Sequence, residues 1–266
     1  MILRRISTIV SSLVAIALLA ALPADAAEWG TIKGKFVYEG EPTNEPLKLT
    51  QDAAFCGKHN PVDERIVVGK DGGLQNVFVY LAEDDDVPIH DDYASQKGKT
   101  VHLDNKGCRF EPHALTLWTE QKLEVSNSDQ GVAHNTNVTK LFANRGKAFN
   151  TTIPNDKPLE VQFDKSEKYP VSVVCNVHPW MSAILLVRTN PYMVVSGEDG
   201  SFEIKNVPAG DQTFVFWHEA KGNLRDLKVG KEKASRKGEV KLKVPAGETL
   251  DLGEINIAPD ILGQKG

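Results

Sequence analysis

Residues 169–187 read YPVSVVCNVHPWMSAILLV, and the chain is organised around them. Tyr169, Val171, Val173 and Cys175 share one face at period two, which predicts a half-buried strand. Ala183 to Val187 predicts a second, apolar strand. The loop between them carries Cys175, His178 and Met181 at intervals of three. Thiolate, imidazole and thioether on a loop framed by two strands suit a soft, redox-active metal.

Taken singly, each donor has a plainer reading. A buried cysteine packs as a small apolar group, and a methionine fills a core. Their joint occurrence on one short loop points to copper as cofactor, held by two His and one Cys with a weak axial Met. The loop supplies one His. The second must come from upstream, and His134 is the candidate, followed by Asn135.

Arg4 and Arg5, the apolar run Ile9 to Leu22 and Ala24-Asp25-Ala26 predict a signal peptide over residues 1–26. It is too short and poorly flanked to be a membrane anchor. Its removal takes two Arg and one Asp from a chain of formal charge −5, leaving −6. That mild acidity argues against nucleic acid and anionic membranes as partners. In an oxidising, periplasmic or secreted setting, three cysteines suggest one pair and one functional thiol. Cys56 and Cys108 sit in Gly-flanked, loop-like contexts and pair in this reading, leaving Cys175 free. A rival reading puts Cys56, His59, Cys108 and His113 in a second metal site.

The rest of the chain reads as all-β. Strands are expected at Gly30–Tyr38, Arg65–Val68 and Asn76–Leu81, with a short helical turn around Cys56. The acidic run from Asp84 to Asp86 reads as a solvated connector. From Lys99 the runs Thr100–Leu103, Ala114–Trp118, Lys122–Asn127 and Leu159–Phe163 alternate at sandwich-like spacing. Asn190-Pro191 marks a boundary, followed by strand signals at 192–195, 202–205, 213–217, 239–244 and 250–257. The basic stretch Lys228 to Lys237 reads as a solvated loop. The expected organisation is an N-terminal β region over 27–98, a first sandwich over 99–189 and a second over 190–266.

At Cys108-Arg109-Phe110-Glu111-Pro112, Leu123-Glu124-Val125-Ser126-Asn127-Ser128-Asp129, His134-Asn135 and Cys175-Asn176-Val177-His178-Pro179-Trp180-Met181, the sequence resembles the cupredoxins, most closely the amicyanin and pseudoazurin group. The resemblance covers roughly residues 99–189 and implies an eight-stranded Greek-key sandwich with a metal near one end. It makes His134, Cys175 and His178 the strong ligands and Met181 the long axial one. Asn135 resembles the residue whose amide braces the thiolate region. The words Asp199-Gly200-Ser201-Phe202-Glu203-Ile204 and Val207-Pro208-Ala209-Gly210 resemble carboxypeptidase regulatory-like (Cna B-type) domains, as does Gly30-Thr31-Ile32-Lys33-Gly34-Lys35. One sandwich built from both chain ends, with the cupredoxin inserted between them, is therefore expected.

The resemblance implies an exported type 1 copper protein carrying single electrons, with a dehydrogenase and a cytochrome as partners. The partner would dock over the ligand loop, where the edge of His178 is expected to be exposed and flanked by Trp180. Catalysis is not expected. Copper enzymes of this class wire the site to a second centre through a His beside the Cys, and here the neighbours are Val174 and Asn176. The alternative reading is a non-redox module that binds carbohydrate or a cell-surface protein. His59, His90, His102, His113 and His218 are expected to be surface or structural residues.

Overall fold

The computed structural model describes residues 28–84 and 86–264. The signal peptide expected over 1–26 lies outside them. The protein is all-β, with two β-sandwich bodies packed side by side.

The first body joins the two ends of the chain. Strand Trp29–Tyr38 lies between Ser201–Pro208, to which it is antiparallel, and Thr249–Ile257, to which it is parallel. The opposing sheet runs Met193–Val195, Phe78–Leu81, Gly210–His218 and Gly222–Asn223, with Glu239–Val244 also pairing Gly210–His218. Alternation does the sorting. In Ser201–Pro208 the residues Phe202 and Ile204 are buried while Ser201, Glu203 and Lys205 face water. The ring of Phe36 stacks on Phe202 at 4.9 Å and meets Phe216 edge-on at 6.0 Å in this core.

The second body has one sheet ordered Ala114–Trp118, Ser182–Arg188, Val171–Val174, Asn135–Val138 and Phe149–Thr152. Its other sheet is ordered Arg109–Glu111, Thr100–Lys106, Lys122–Asn127 and Leu159–Val161. Leu103, Phe110, Leu117, Val125, Val173 and Leu185 fill the space between them. Ser182–Arg188 is buried along almost its whole length because both of its faces are covered. Ala183, Leu185 and Val187 point into this core. Ile184 and Leu186 point outward, onto Phe78, Tyr80 and Val215 of the first body. This apolar seam joins the two bodies.

Four sequence expectations are corrected. Arg65–Val68 is not a strand; it makes only the isolated bridge Val68↔Leu74. Its donors go to side chains instead of a partner strand, Arg65 N–H on Asp63 Oδ1 at 2.9 Å and Ile66 N–H on Thr43 Oγ1, 23 residues away, at 2.9 Å. Tyr169 does not join the strand face but is 47% exposed, because Pro170 withholds a donor and pairing begins at Val171. Lys228–Lys237 is not simply a solvated loop. It forms a hairpin of Lys228–Val229 with Glu232–Lys233, and Val229 and Ala234 reach the first core. The acidic run is not wholly solvated either. Asp84 forms an ion pair with Arg188, whose side chain is buried and donates to the carbonyls of Leu81 at 2.8 Å and Ala82 at 2.9 Å.

Candidate metal centre

The ligand loop leaves the strand Val171–Val174 and returns in Ser182–Arg188. It is closed on itself by Met181 N–H to His178 O at 2.9 Å and Cys175 N–H to Met181 O at 3.2 Å. These bonds keep the short loop compact and turn Cys175 inward. The cysteine is free and buried. His178 N–H approaches Cys175 Sγ at 3.4 Å, and the thiol lies 3.9 Å from His178 Nδ1.

His134 arrives from just before the neighbouring strand Asn135–Val138, which pairs with Val171–Val174 through Asn137 and Val174. Donor atoms of His134, Cys175 and His178 all lie within 4.8 Å of one another, and all three residues are buried. The two imidazole rings are 4.6 Å apart. Met181 is buried in the same core, 1% exposed.

Each imidazole is held from behind by a carboxylate. His134 Nε2 lies 2.9 Å from Asp129 Oδ2, and His178 Nε2 lies 2.9 Å from Asp52 Oδ2. An ionised carboxylate accepts the Nε2–H and so leaves the Nδ1 lone pair free, the arrangement that orients a ligand His. His134 Nδ1 is buried with no hydrogen-bond partner. A buried, unsatisfied imidazole nitrogen is costly unless something occupies its lone pair. Burial pushes the His134 imidazole below its ordinary value, with Asp129 pulling it up and His178 pushing it further down. The neutral ring that a metal needs is thereby favoured. Two imidazoles and a free thiol converging in a buried pocket are a donor set that fits copper.

Asn135 braces the loop from the other side. Its Oδ1 accepts Asn176 N–H at 2.7 Å and Val177 N–H at 3.2 Å, and lies 3.5 Å from Cys175 Sγ. Its Nδ2 donates to Asn150 Oδ1 at 2.6 Å and Asn176 Oδ1 at 2.9 Å.

Cys56 and Cys108 form a disulfide. Both sulfurs are in that bond, so neither is a thiolate ligand and the rival second metal site is removed. His113, a member of that rival site, instead faces the carboxylates of Glu219 and Glu64. Gly107 and Cys108 form a two-residue hairpin turn with φ of +64° and +57°, the left-handed values such a turn requires. Their N–H groups converge on Asp129, at 2.7 Å to Oδ1 and 2.8 Å to Oδ2.

The expected exposed edge of His178 is corrected: the residue is fully buried. Asp52, at the start of the short helix Ala53–Cys56, covers Nε2, and the disulfide ties this segment to the hairpin turn. The Trp180 ring sits 5.0 Å from His178 and donates its indole N–H to Cys108 O at 3.1 Å. Sequence reasoning missed Asp52 and the role of Asp129. Nothing local marks Asp52, which is 126 residues from its partner. Asp129 stood in a quoted motif without a task, although its place five residues before His134 was visible.

No family model and no curated protein matches the chain. Solved structures do. A copper-containing nitrite reductase from Thermus scotoductus is 21% identical over 33% of this chain and 22% of that one, at a TM-score of 0.29. Amicyanin from Paracoccus versutus is 15% identical over 41% of this chain and 97% of its own, at a TM-score of 0.28. An oxidised point mutant of amicyanin is 12% identical over 41% and 98%, also at 0.28. These neighbours are cupredoxins; the chain spans only about a fifth of the nitrite reductase.

Proposed function

We propose that the chain is an exported type 1 copper protein that carries single electrons between periplasmic redox partners and catalyses no reaction of its own. The carrying observation is the convergence of His134, Cys175 and His178, all buried, with the Nδ1 of His134 left without a partner. Bound copper would supply a one-electron couple. The chain's part is to present two imidazole nitrogens and a thiol from a frame that does not rearrange, and the thioether of Met181 would serve as a further, weaker donor. The two sheets, the closed loop and the Asn135 braces supply that rigidity. A dehydrogenase as donor and a cytochrome as acceptor are proposed as partners, docking weakly and transiently. Among the described residues no helix is long and apolar enough to cross a membrane.

Loading the full metal-free chain with Cu(II) tests the reading. One equivalent should bind and produce an intense visible thiolate-to-copper absorption, and Cys175→Ser should remove that band. Copper binding without the band, or a band that survives Cys175→Ser, defeats the proposal. With the band in place, Met181→Gln should lower the reduction potential, and an unchanged potential would remove Met181 from the donor set.

A further inference from the structure

Asp52 is an unusual residue for its place. It occupies the N-cap position of Ala53–Cys56, where an Asp side chain ordinarily accepts a backbone N–H of its own helix, yet it makes no such bond. Its backbone is left-handed, φ 43° and ψ 33°. Asp is one of the few residues with a Cβ that adopt this region readily. Its carbonyl anchors the turn by accepting Phe55 N–H and Cys56 N–H, each at 2.9 Å. The backbone thus holds the cysteine turn while the carboxylate swings away to His178 Nε2 at 2.9 Å. Cys56 is bonded to Cys108, whose carbonyl receives Trp180, the other neighbour of the His178 ring. The segment from Asp52 to Cys56 is therefore a strap tied to the second sandwich by the disulfide and by the Asp52–His178 contact.

We propose that Asp52 is a positioning residue for the metal centre: it fixes His178 as the Nε2–H tautomer with Nδ1 facing Cys175, and with the disulfide strap it closes the ring's outer edge to solvent and partner. The proposal rests on the copper reading for its effect on the metal, but its structural content holds in the metal-free chain. Two consequences follow. In a copper-loaded chain an incoming electron would have to cross the strap or Trp180, because no bare edge of His178 is exposed. Asp52 also places a negative charge behind one ligand, where it favours the more positive oxidation state of the metal.

Nitrogen-15 spectra of the His side chains in the full metal-free chain are the primary test. His178 should appear as the Nε2–H tautomer, with its ring proton exchanging slowly. Asp52→Ala should speed that exchange at least tenfold. Asp52→Glu or Asp52→Asn, which keep an acceptor, should restore slow exchange at least in part. The joint variant Cys56→Ser/Cys108→Ser should speed it as well, because the strap is released. Asp52 is half exposed, so these single changes leave the sandwich folded, which far-ultraviolet circular dichroism checks. In the copper-loaded chain, Asp52→Asn should raise the reduction potential. A wild-type His178 with its proton on Nδ1, or ring exchange unchanged in Asp52→Ala, overturns the proposal. Failure of the thiolate-to-copper band with the ring-proton results intact would count against the copper reading alone.

Discussion

Asp129 Oδ2 accepts the Cys108 N–H at 2.8 Å, and the same oxygen lies 2.9 Å from His134 Nε2. One buried carboxylate therefore joins the disulfide turn to a candidate metal ligand. The hairpin turn and the imidazole cannot move independently of each other.

Asp129→Ala should be costly in two separable ways. It leaves the buried Gly107 and Cys108 N–H groups without an acceptor, which should cost at least about 2 kcal/mol of stability. It also frees His134 to rotate, and loss of such a partner lowers metal affinity about 10–100-fold. Urea unfolding of the metal-free chain reads the first effect, and competition with a copper chelator reads the second.

The Cys56–Cys108 bond spans 52 residues. A loop of that length corresponds to about 4 kcal/mol in the chain-entropy account. Cys56→Ala/Cys108→Ala should lose an amount of this order in denaturant unfolding under oxidising conditions. The wild type should lose a similar amount when a dithiol reductant is added, and the double variant should not respond to it.

Two histidines near the seam between the bodies should give opposite pH dependences. Burial lowers His113, but the carboxylates of Glu219 and Glu64 outweigh it and leave the ring above its ordinary value. Its contribution to stability is complete below the unfolded value of 6.5 and is lost as pH rises through the raised folded value. The stability gap between wild type and His113→Gln should therefore be widest below pH 6.5 and narrow in mildly alkaline buffer.

His218 behaves in the reverse sense. Burial pushes it from 6.5 down to about 4, so the unfolded chain takes up the proton first and stability falls as pH drops through that window. The loss amounts to about 3 kcal/mol. His218→Asn should have a shallower acid limb than the wild type in unfolding measured from pH 7 to 4.

Arg188 is 3% exposed and paired with Asp84 while it donates to the Leu81 and Ala82 carbonyls. Arg188→Met removes the cation and leaves those acceptors unserved, so stability should drop by about 3–5 kcal/mol. Asp84→Asn retains a hydrogen-bonding side chain and should cost less. Thermal unfolding of the three proteins at one pH orders them.

Period and spacing were readable without coordinates wherever neighbours in the chain decide the outcome. Ala114–Trp118, Lys122–Asn127 and Glu239–Val244 have the bounds that their alternation indicates. The helical turn at Cys56 was equally visible. Arg65–Val68 was misread because alternation states a preference for extended backbone but says nothing about whether a partner strand is available. Lys228–Lys237 was misread because its charges hid Val229 and Ala234, which have a core to enter only after the chain ends come together.

At the candidate metal centre the division is the same. The amino-acid sequence alone determined that Cys175, His178 and Met181 share one loop between two strands, because a few residues of backbone cannot separate them. Strand pairing brought His134 to that loop, across 41 residues of chain. Tertiary structure alone decided that Asp129 and Asp52 stand behind the two imidazoles, and that His178 is covered instead of exposed. A hydrogen bond spanning 126 residues leaves no periodic trace in the sequence. It exists because the folded sheets and the disulfide hold both ends in place, which offsets the entropy of closing so long a loop.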